Sequence, residues 1–510
     1  MLIALPILIP LAASALCILC WGRIKLHRAI SVTAMLAHVA VSILLLLDVR
    51  SSGILRLDVG GWNAPIGITL VADLLACLMT LLTAIVGLAA VVTSCFSTDD
   101  ERARMGHFPL TLAMLGAVCG AFLTGDLFNL YVWFELLLLS SFVLLTLGGE
   151  RPQLEGAIKY VTLNLISSIL FLTSIGLIYG TTGTLNMADL AVRLDALDPK
   201  MATMLAAPLL IGFAIKGGVF PFFFWLPASY HTPPPVVSAL FAGLLTKVGV
   251  YAIVRSCTLL FDQEWALLGD VVLVFAGLTM VTGVIGAIAQ TDMRRILAFH
   301  IVSQIGYMLM GLGIMMSAIA RGVPQDVAVL ALTGTIFYIL HHIIVKTNLF
   351  LVTGVIVHEY GTSELAAVDG VVKTRPTVAA LFLISALSLA GIPVLSGFWA
   401  KLALVRGGLE AGAYVIVAVS LVVSLLTLFS MMKIWTQGFW GEASPLGEHP
   451  LSRARTRGLL LPIACLALLT TIIGLGAAPV FDFASETAAQ LLNGQAYIDA
   501  VLDAQEGGQP

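Results

Sequence analysis

Residues 211–227, IGFAIKGGVFPFFFWLP, decide how this chain is read. The composition is that of a membrane-spanning helix, yet Lys216, two glycines and the prolines Pro221 and Pro227 interrupt it. Proline removes a backbone donor and clashes with the preceding turn, so a helix stops and restarts there. In hydrocarbon, the backbone groups freed in this way need water or polar partners. The same interruption recurs from Gly391 through Pro393 to Gly397, again with a lysine beside it, Lys401. Corresponding breaks in two halves of a chain point to inverted repeats with an ion site at the breaks. An ordinary proline kink is the plainer reading; a lysine at each break argues against it.

Outward from the breaks, three more charged residues sit inside apolar runs: Glu135 in FNLYVWFELLLLSSFVLL, Lys247 in FAGLLTKVGVYAIVR and Lys346 in HHIIVKTNLFL. A charge at mid-bilayer costs roughly 2.5–3.5 kcal/mol, so the five represent on the order of 10 kcal/mol that packing does not require. Such residues normally face a protein interior or a wet cavity, and a file of titratable groups is what proton or ion conduction needs.

Each position has a functional and a plainer reading. An amine stripped of hydration exchanges its proton more readily than one in water, which suits Lys216 as a proton-binding station. The alternative is a lysine snorkelling to a helix end. Glu135 set against Lys216 makes a switchable charge pair; otherwise it is a structural carboxylate bonded to a neighbouring helix. Lys247 lies mid-span with no proline near it and reads as an interior relay. His342 precedes Lys346 by one helical turn, placing imidazole and ammonium on one stripe, and histidine titrates near neutral pH. His341 points elsewhere on that helix and carries little weight. Lys401 is an exit station or a snorkelled anchor, with the exit favoured. Asp73 begins an apolar helix and complements its N-terminus. Asp126 occupies a tight turn and reads as structural, and His300 reads as a packed polar residue more than a relay.

Of 510 residues, 59% are hydrophobic and 11% charged, with mean hydropathy +1.03. A soluble domain carries about 25% charged residues, so this is an all-α polytopic membrane protein. A sliding window gives about fourteen transmembrane helices, centred near Leu11, Ala40, Thr83, Gly116, Leu137, Leu170, Ala214, Leu245, Phe275, Gly306, Ile343, Ala390, Val419 and Leu468. The short connections leave no room for a nucleotide-binding or redox-cofactor module, so no cofactor is expected and energy comes from ion gradients or another subunit. A net charge of −3 with dispersed basic residues speaks against a nucleic-acid partner. Cys17 and Cys20 form a C-x-x-C on an apolar helix and read as small hydrophobes, not as a metal or redox site. The first residues lack the positively charged start of a secretory signal and read as the first span.

Loops after odd-numbered spans hold Arg23, Lys25, Arg28, Arg102, Arg104, Arg151, Lys159, Arg294, Arg295, Lys373, Arg375, Lys433, Arg453, Arg455 and Arg457. The opposite loops hold fewer: Arg50, Arg56, Arg193, Lys200, Arg255, Arg321 and Arg406. The positive-inside bias then makes the odd loops cytoplasmic and places both termini outside, with an exposed polar tail after Phe481.

The run KGGVFPFFFWLPASYHTPPPVVSALFAGLLTKVGVYAIVR, residues 216–255, resembles the antiporter-like subunits shared by respiratory complex I, membrane-bound hydrogenases and the multisubunit Mrp (Mnh, Pha) cation/proton antiporters. QTDMRRILAFHIVSQIGYM, HIIVKTNLFLVTG and GIPVLSGFWAKL are similar to later motifs of that family, in the right order. DLFNLYVWFELLLLSSFVL, residues 126–144, is most similar to the D-type subunits of Mrp antiporters. The resemblance implies fourteen helices with two inverted repeats: N-terminal helices over 1–107, a first repeat over 108–260, a second over 261–440, and a last helix with its tail over 441–510. It implies Glu135 and Lys216 as a charge pair, Lys247 and Lys346 as the central relay, and Lys401 as the terminal lysine. Its expected partners are Mrp subunits of A, B, C, E, F and G type, the lipid bilayer, protons and Na+ or K+, in a bacterial inner membrane. The chain departs from many relatives by carrying Phe223 and Tyr338 where they have histidines. The expected function is the proton half of a cation/proton antiporter, an ion-transporter subunit and not an enzyme. The alternative is a proton-pumping subunit of a complex I-like or hydrogenase redox complex.

Overall fold

In hydrocarbon every backbone N–H and C=O must find its partner within its own segment, and the apolar runs of this chain answer with helices almost throughout. A computed structural model describes residues 1–442 and 453–502. The helices are α1 (Leu2–Leu19), α2 (Ile24–Ser52), α3 (Leu74–Ser97), α4 (His107–Leu123), α5 (Leu127–Thr146), α6 (Arg151–Thr182), α7 (Pro199–Gly217), α8 (Pro235–Leu259), α9 (Trp265–Ile288) and α10 (Met293–Ala320). There follow α11 (Gln325–Tyr360), α12 (Pro376–Ala390), α13 (Ser396–Glu410), α14 (Tyr414–Phe439), α15 (Arg453–Leu475), α16 (Ala477–Leu492) and α17 (Gly494–Leu502). Among the described residues, 12 helices are long and apolar enough to cross a membrane, and α4 and α12 are shorter apolar helices. Each of the fourteen expected spans has its helix.

Both predicted breaks are present. Gly218, at φ 74°, ends α7, and the chain reaches α8 through an irregular stretch and the short helix Trp225–Ser229. Gly391, at φ 90°, ends α12, and α13 restarts at Ser396. Because spans alternate in direction, α7 and α12 enter from opposite faces. The connections at Arg23, Asp99 to Gly106 and Thr291 lie on one face, here the basic face. A ribbon of β1 (Leu55–Asp58) antiparallel to β2 (Thr69–Ala72) lies on the other, the tail face, with α16 and α17.

The buried centre is α8, α10 and α11, helices apolar on nearly every side as burial on all sides demands. Small residues let backbones approach in membranes, where packing contacts drive association. The α9–α10 seam uses this most fully: a Cβ at Gly283 would lie 2.3 Å from the Ser303 nitrogen, and one at Gly306 2.6 Å from the Ala276 oxygen.

Three expectations need correction. Arg255 is not in a loop: it is buried at the end of α8 and pairs with Asp73. Asp73 also caps α3, accepting from the Ala76 N–H at 2.8 Å, while the Tyr497 ring lies 5.2 Å from the Arg255 guanidinium. Arg294, also expected in a loop, is buried in α10 and donates to the Pro233 carbonyl and, at 2.8 Å, to Ser238. The segment after Phe481 is not an exposed tail as far as Leu502. Its helices turn apolar faces (Ala484, Ala488, Leu491, Val501) onto the body, and the Gln490 side chain accepts from the Leu74 N–H at 2.8 Å. Residues 443–452 and 503–510 lie outside the described residues, as does the side chain of Arg453.

Removing one partner of a buried ion pair strands the other. Asp73→Ala should therefore cost about 3–5 kcal/mol, seen as a lower melting temperature of the detergent-purified protein. Replacing both partners, Asp73→Leu with Arg255→Leu, should recover most of it. A single variant as stable as wild type would show that this clamp contributes nothing.

Candidate functional site

The site is assembled from helix ends and helix irregularities, because those are the places in a membrane where a polar atom finds backbone partners. Lys216 occupies the last turn of α7, where the carbonyl end of the helix carries partial negative charge. Its ammonium lies 5.9 Å from the centroid of the Phe134 ring, a cation–π contact. Phe134 is held edge-on by Phe171 and Phe213. Glu135, the next residue along α5, is the acid whose charge acts on Lys216. The two form no ion pair, and Glu135 Oε1 and Lys216 Nζ have no hydrogen-bond partner among the described residues.

Gly249 brings α8 against this turn: a Cβ there would lie 2.5 Å from the Gly217 nitrogen. Half a turn away, Lys247 is fully buried and donates to the Ala242 carbonyl. That carbonyl belongs to a π-helical stretch, Phe241–Leu245, where the ordinary helical hydrogen-bond spacing is lost. The lysine thus spans a defect in its own helix. Gly243 opens room for α11, its missing side chain leaving space for the Thr347 hydroxyl, which bonds Ile343 O at 2.8 Å.

That approach places Lys346 beside Lys247, near enough for their charges to interact. Lys346 Nζ and both ring nitrogens of His342 are buried without a protein partner among the described residues. His342 lies within electrostatic reach of Lys247, Lys346, His341 and His300. A dry ammonium with no acceptor is tolerable only where a water chain reaches it.

Lys401 ends the file. It is not snorkelled: its ammonium donates at 2.9 Å both to the Ala390 carbonyl, the last of α12, and to the Ser424 hydroxyl of α14. It also lies 5.0 Å from the Tyr307 ring centroid. Tyr307 stacks on Tyr338 with centroids 5.1 Å apart and planes 3° from parallel, and the Tyr338 hydroxyl donates to Gln304. Tyr338 thus reaches Lys401 through the Tyr307 ring.

The remaining candidates fall where their plainer readings put them. Asp126 caps α5, accepting from the Asn129 N–H at 2.7 Å. His300 bonds the Ser430 hydroxyl at 3.0 Å. Pro221, Pro227 and Pro393 lie in or beside the breaks, and Phe223 packs at the edge of the core. Among the described residues no three His, Cys, Asp or Glu side chains gather as a metal site. Tyr307, Gln304 and Ser424, which gather about Tyr338 and Lys401, were not singled out; the signal was their polarity inside otherwise apolar spans. On the basic face, a cavity of about 340 Å³ is lined by Thr93, Asp99, Arg102, Glu150, Arg294 and His358, together with Pro235, Leu351 and Gly354. Leu351 and Gly354 follow Thr347 by one and two turns of α11.

Residues 124–427 match the family described as NADH:quinone oxidoreductase/Mrp antiporter, TM. The chain is 46% identical to the D-type subunit of the Na(+)/H(+) antiporter of Alkalihalophilus pseudofirmus, over 98% of this chain and 99% of the relative. Its fold superposes on a chain of the Mrp complex from a Dietzia species with TM-score 0.90 at 32% identity, covering 98% of this chain and 99% of that one. A chain of the membrane-bound sulfane sulfur reductase, an archaeal respiratory membrane complex, matches with TM-score 0.87 at 26% identity, covering 98% and 99%.

A part for Tyr338 in proton movement has a direct check. Tyr338→Phe keeps the ring stack and loses the hydroxyl, and transport should fall by roughly tenfold, the scale of one hydrogen-bonded link. Tyr338→His should keep at least half the wild-type rate. Equal rates for the phenylalanine variant and wild type would take Tyr338 out of the route.

Proposed function

The chain belongs to the NADH:quinone oxidoreductase/Mrp antiporter family of membrane subunits, and we propose that it carries protons as the D-type subunit of a multisubunit Na+ or K+/H+ antiporter. The observation that carries this reading is the file of buried amines Lys216, Lys247, Lys346 and Lys401, which runs between two helix breaks of opposite direction. Each amine can hold one proton or none. Ammonium groups as close as Lys247 and Lys346 repel each other, so occupying one favours emptying its neighbour. Protons therefore advance singly along the file, with Glu135 setting how tightly Lys216 holds its own.

In this reading the basic face is cytoplasmic by the positive-inside bias, and the tail face and the described N-terminus are external. Protons pass inward through this subunit toward the polar cavity of the basic face, and cations leave elsewhere in the complex. Each pH unit of gradient supplies about 1.4 kcal/mol per proton. The opposite directions of α7 and α12 support inverted repeats over 108–260 and 261–440. The partners are the other Mrp-type subunits, in a bacterial plasma membrane crossed many times.

Respiration-generated pH gradients in everted vesicles from antiporter-deficient cells expressing the whole gene cluster provide the test. Added Na+ or K+ should collapse the gradient with wild type. Lys216→Ala and Glu135→Ala should each abolish the collapse while the complex still assembles. Retained exchange in both assembled variants would sink the proposed route. The likeness to the archaeal respiratory complex favours a second reading, a proton-pumping subunit driven by electron transfer. Copurification with flavin or iron–sulfur subunits, and no cation-dependent collapse, would select it.

A further inference from the structure

Helix α2 is turned inside out. Its buried residues are His27, Ser31, Met35, His38, Ser42, Leu45 and Val49, and their spacing of three or four puts them on one stripe. Most of that stripe is polar, whereas the opposite side presents Leu36, Ile43, Leu44 and Leu47. The stripe packs into the bundle of α1, α3 and α4, which contains none of the lysines of the file. At its basic-face end, His27 Nε2 lies 3.1 Å from the Cys20 carbonyl. A carbonyl only accepts, so Nε2 holds the proton and Nδ1 a bare lone pair. Ser31 follows one turn later, beside the Cys17 thiol. His38 Nε2 lies 3.4 Å from Cys119 Sγ of α4, and Ser42 comes one turn further on.

Many buried hydroxyls in this chain bond the carbonyl one turn back, as Thr83 bonds Met79, Thr93 bonds Ala89 and Thr111 bonds His107, each at 2.8 Å. Such a bond is internal to its helix and needs no outside partner. The stripe differs. His27 Nδ1, His38 Nδ1, Ser42 Oγ and Thr80 Oγ1 are buried with no hydrogen-bond partner among the described residues. Thr80 belongs to the same seam: α3 runs antiparallel to α2 with Met35 packed on Gly87, and two turns along each helix from that contact Ser42 stands level with Thr80. Buried polar atoms without protein partners are places for water. From His27 to Asp48, at the tail-face end of α2, the helix rises about 31 Å, the depth of the hydrocarbon core.

One member of the stripe is apolar where the polar groups would otherwise continue. Met35 lies between Ser31 and His38, its methyl group 2.7 Å from where a Cβ on Gly87 would stand, and Leu115 of α4 closes the same notch. An apolar constriction shuts a polar file by keeping water out, and methionine, unbranched and flexible, moves aside readily. Polar glue between helices explains the contact of His38 with Cys119; it does not explain unpartnered atoms on both sides of one apolar plug. We propose that His27, Ser31, His38, Ser42 and Thr80 line a second proton path through the N-terminal bundle, separate from the lysine file, and that Met35 is its gate, closed in this structure. The path goes beyond the antiporter reading and does not depend on it. With the Met35 side chain displaced, water joins the two halves. His27 takes up and returns a proton at Nδ1. His38 binds a proton on one ring nitrogen as the other releases one, so the ring is neutral after each passage, and every hydroxyl or water hands on one proton for each it receives. The hydroxyls come singly along α2, so they offer no shell of oxygens to a dehydrated cation.

The whole complex, reconstituted in vesicles, tests the gate through the decay of an imposed pH gradient, in a medium free of Na+ and K+ with a permeant anion to balance charge. Met35→Ala should speed the decay at least about tenfold over wild type, and Met35→Ala combined with His38→Leu should return it to the wild-type rate. Met35→Gln, which keeps the length of the side chain and makes it polar, is read in the same way if the alanine variant fails to assemble. Wild-type decay in an assembled Met35→Ala or Met35→Gln complex would overturn the path. So would a leak that survives His38→Leu, because the protons would then not be passing along the stripe. No transported cation is present, so the result stands whether or not the wild-type complex exchanges Na+ or K+ for protons, and a failure of that exchange would count against the antiporter reading alone.

Discussion

Stripping an amine of water is costly, and that cost organises this molecule. Three of the four lysines of the file sit at a backbone irregularity. Lys216 lies at the carbonyl end of α7 over an aromatic face. Lys247 bonds across a π-helical turn. Lys401 takes the last carbonyl of α12. Lys346 has no protein acceptor among the described residues. The breaks, the π-turn and the glycines that let helices close in around them are the means by which an apolar protein holds polar hydrogens in a row. A straight, regular helix in place of the π-turn or the second break would leave Lys247 or Lys401 without its carbonyl acceptor.

The two breaks use the same device in opposite senses. A half-helix ends on a glycine in the left-handed region, a lysine sits beside the exposed carbonyls, and the chain restarts after a few irregular residues. At the first, the lysine belongs to the helix that ends; at the second, it reaches back from the helix that follows. The file therefore has two ends of different chemistry. An acid stands near one, Glu135, while hydroxyls and tyrosines surround the other.

Much of this was legible because it is local. Apolar run length gives the spans, proline with glycine gives the breaks, and a lone charge in an apolar run gives each lysine. What could not be read was whatever depends on partners distant in the chain. Asp73 and Arg255 are separated by 182 positions, so the sequence showed a cap and a loop arginine where the fold makes one buried pair. His341 was discounted because it lies off the stripe of His342 and Lys346. That argument considers one helix alone, and the ring's hydrogen-bond partner, Ser396, comes from another. The amphipathic pattern of α16 was present in the letters, yet a polar segment after a last span reads as solvent-exposed until the surface it covers is known. Glu135 and Lys216 were both identified, but their separation is set by the packing of three phenylalanines.

A conductor is useful only if it does not leak. Where Gly283 meets Ser303 and Gly306 meets Ala276, α9 and α10 approach too closely to admit even a methyl group. On the flank where α10 would otherwise border lipid, the charged file is therefore sheathed by two backbones in contact. The glycines serve as insulation: they let two backbones close where bulkier side chains would hold the helices apart.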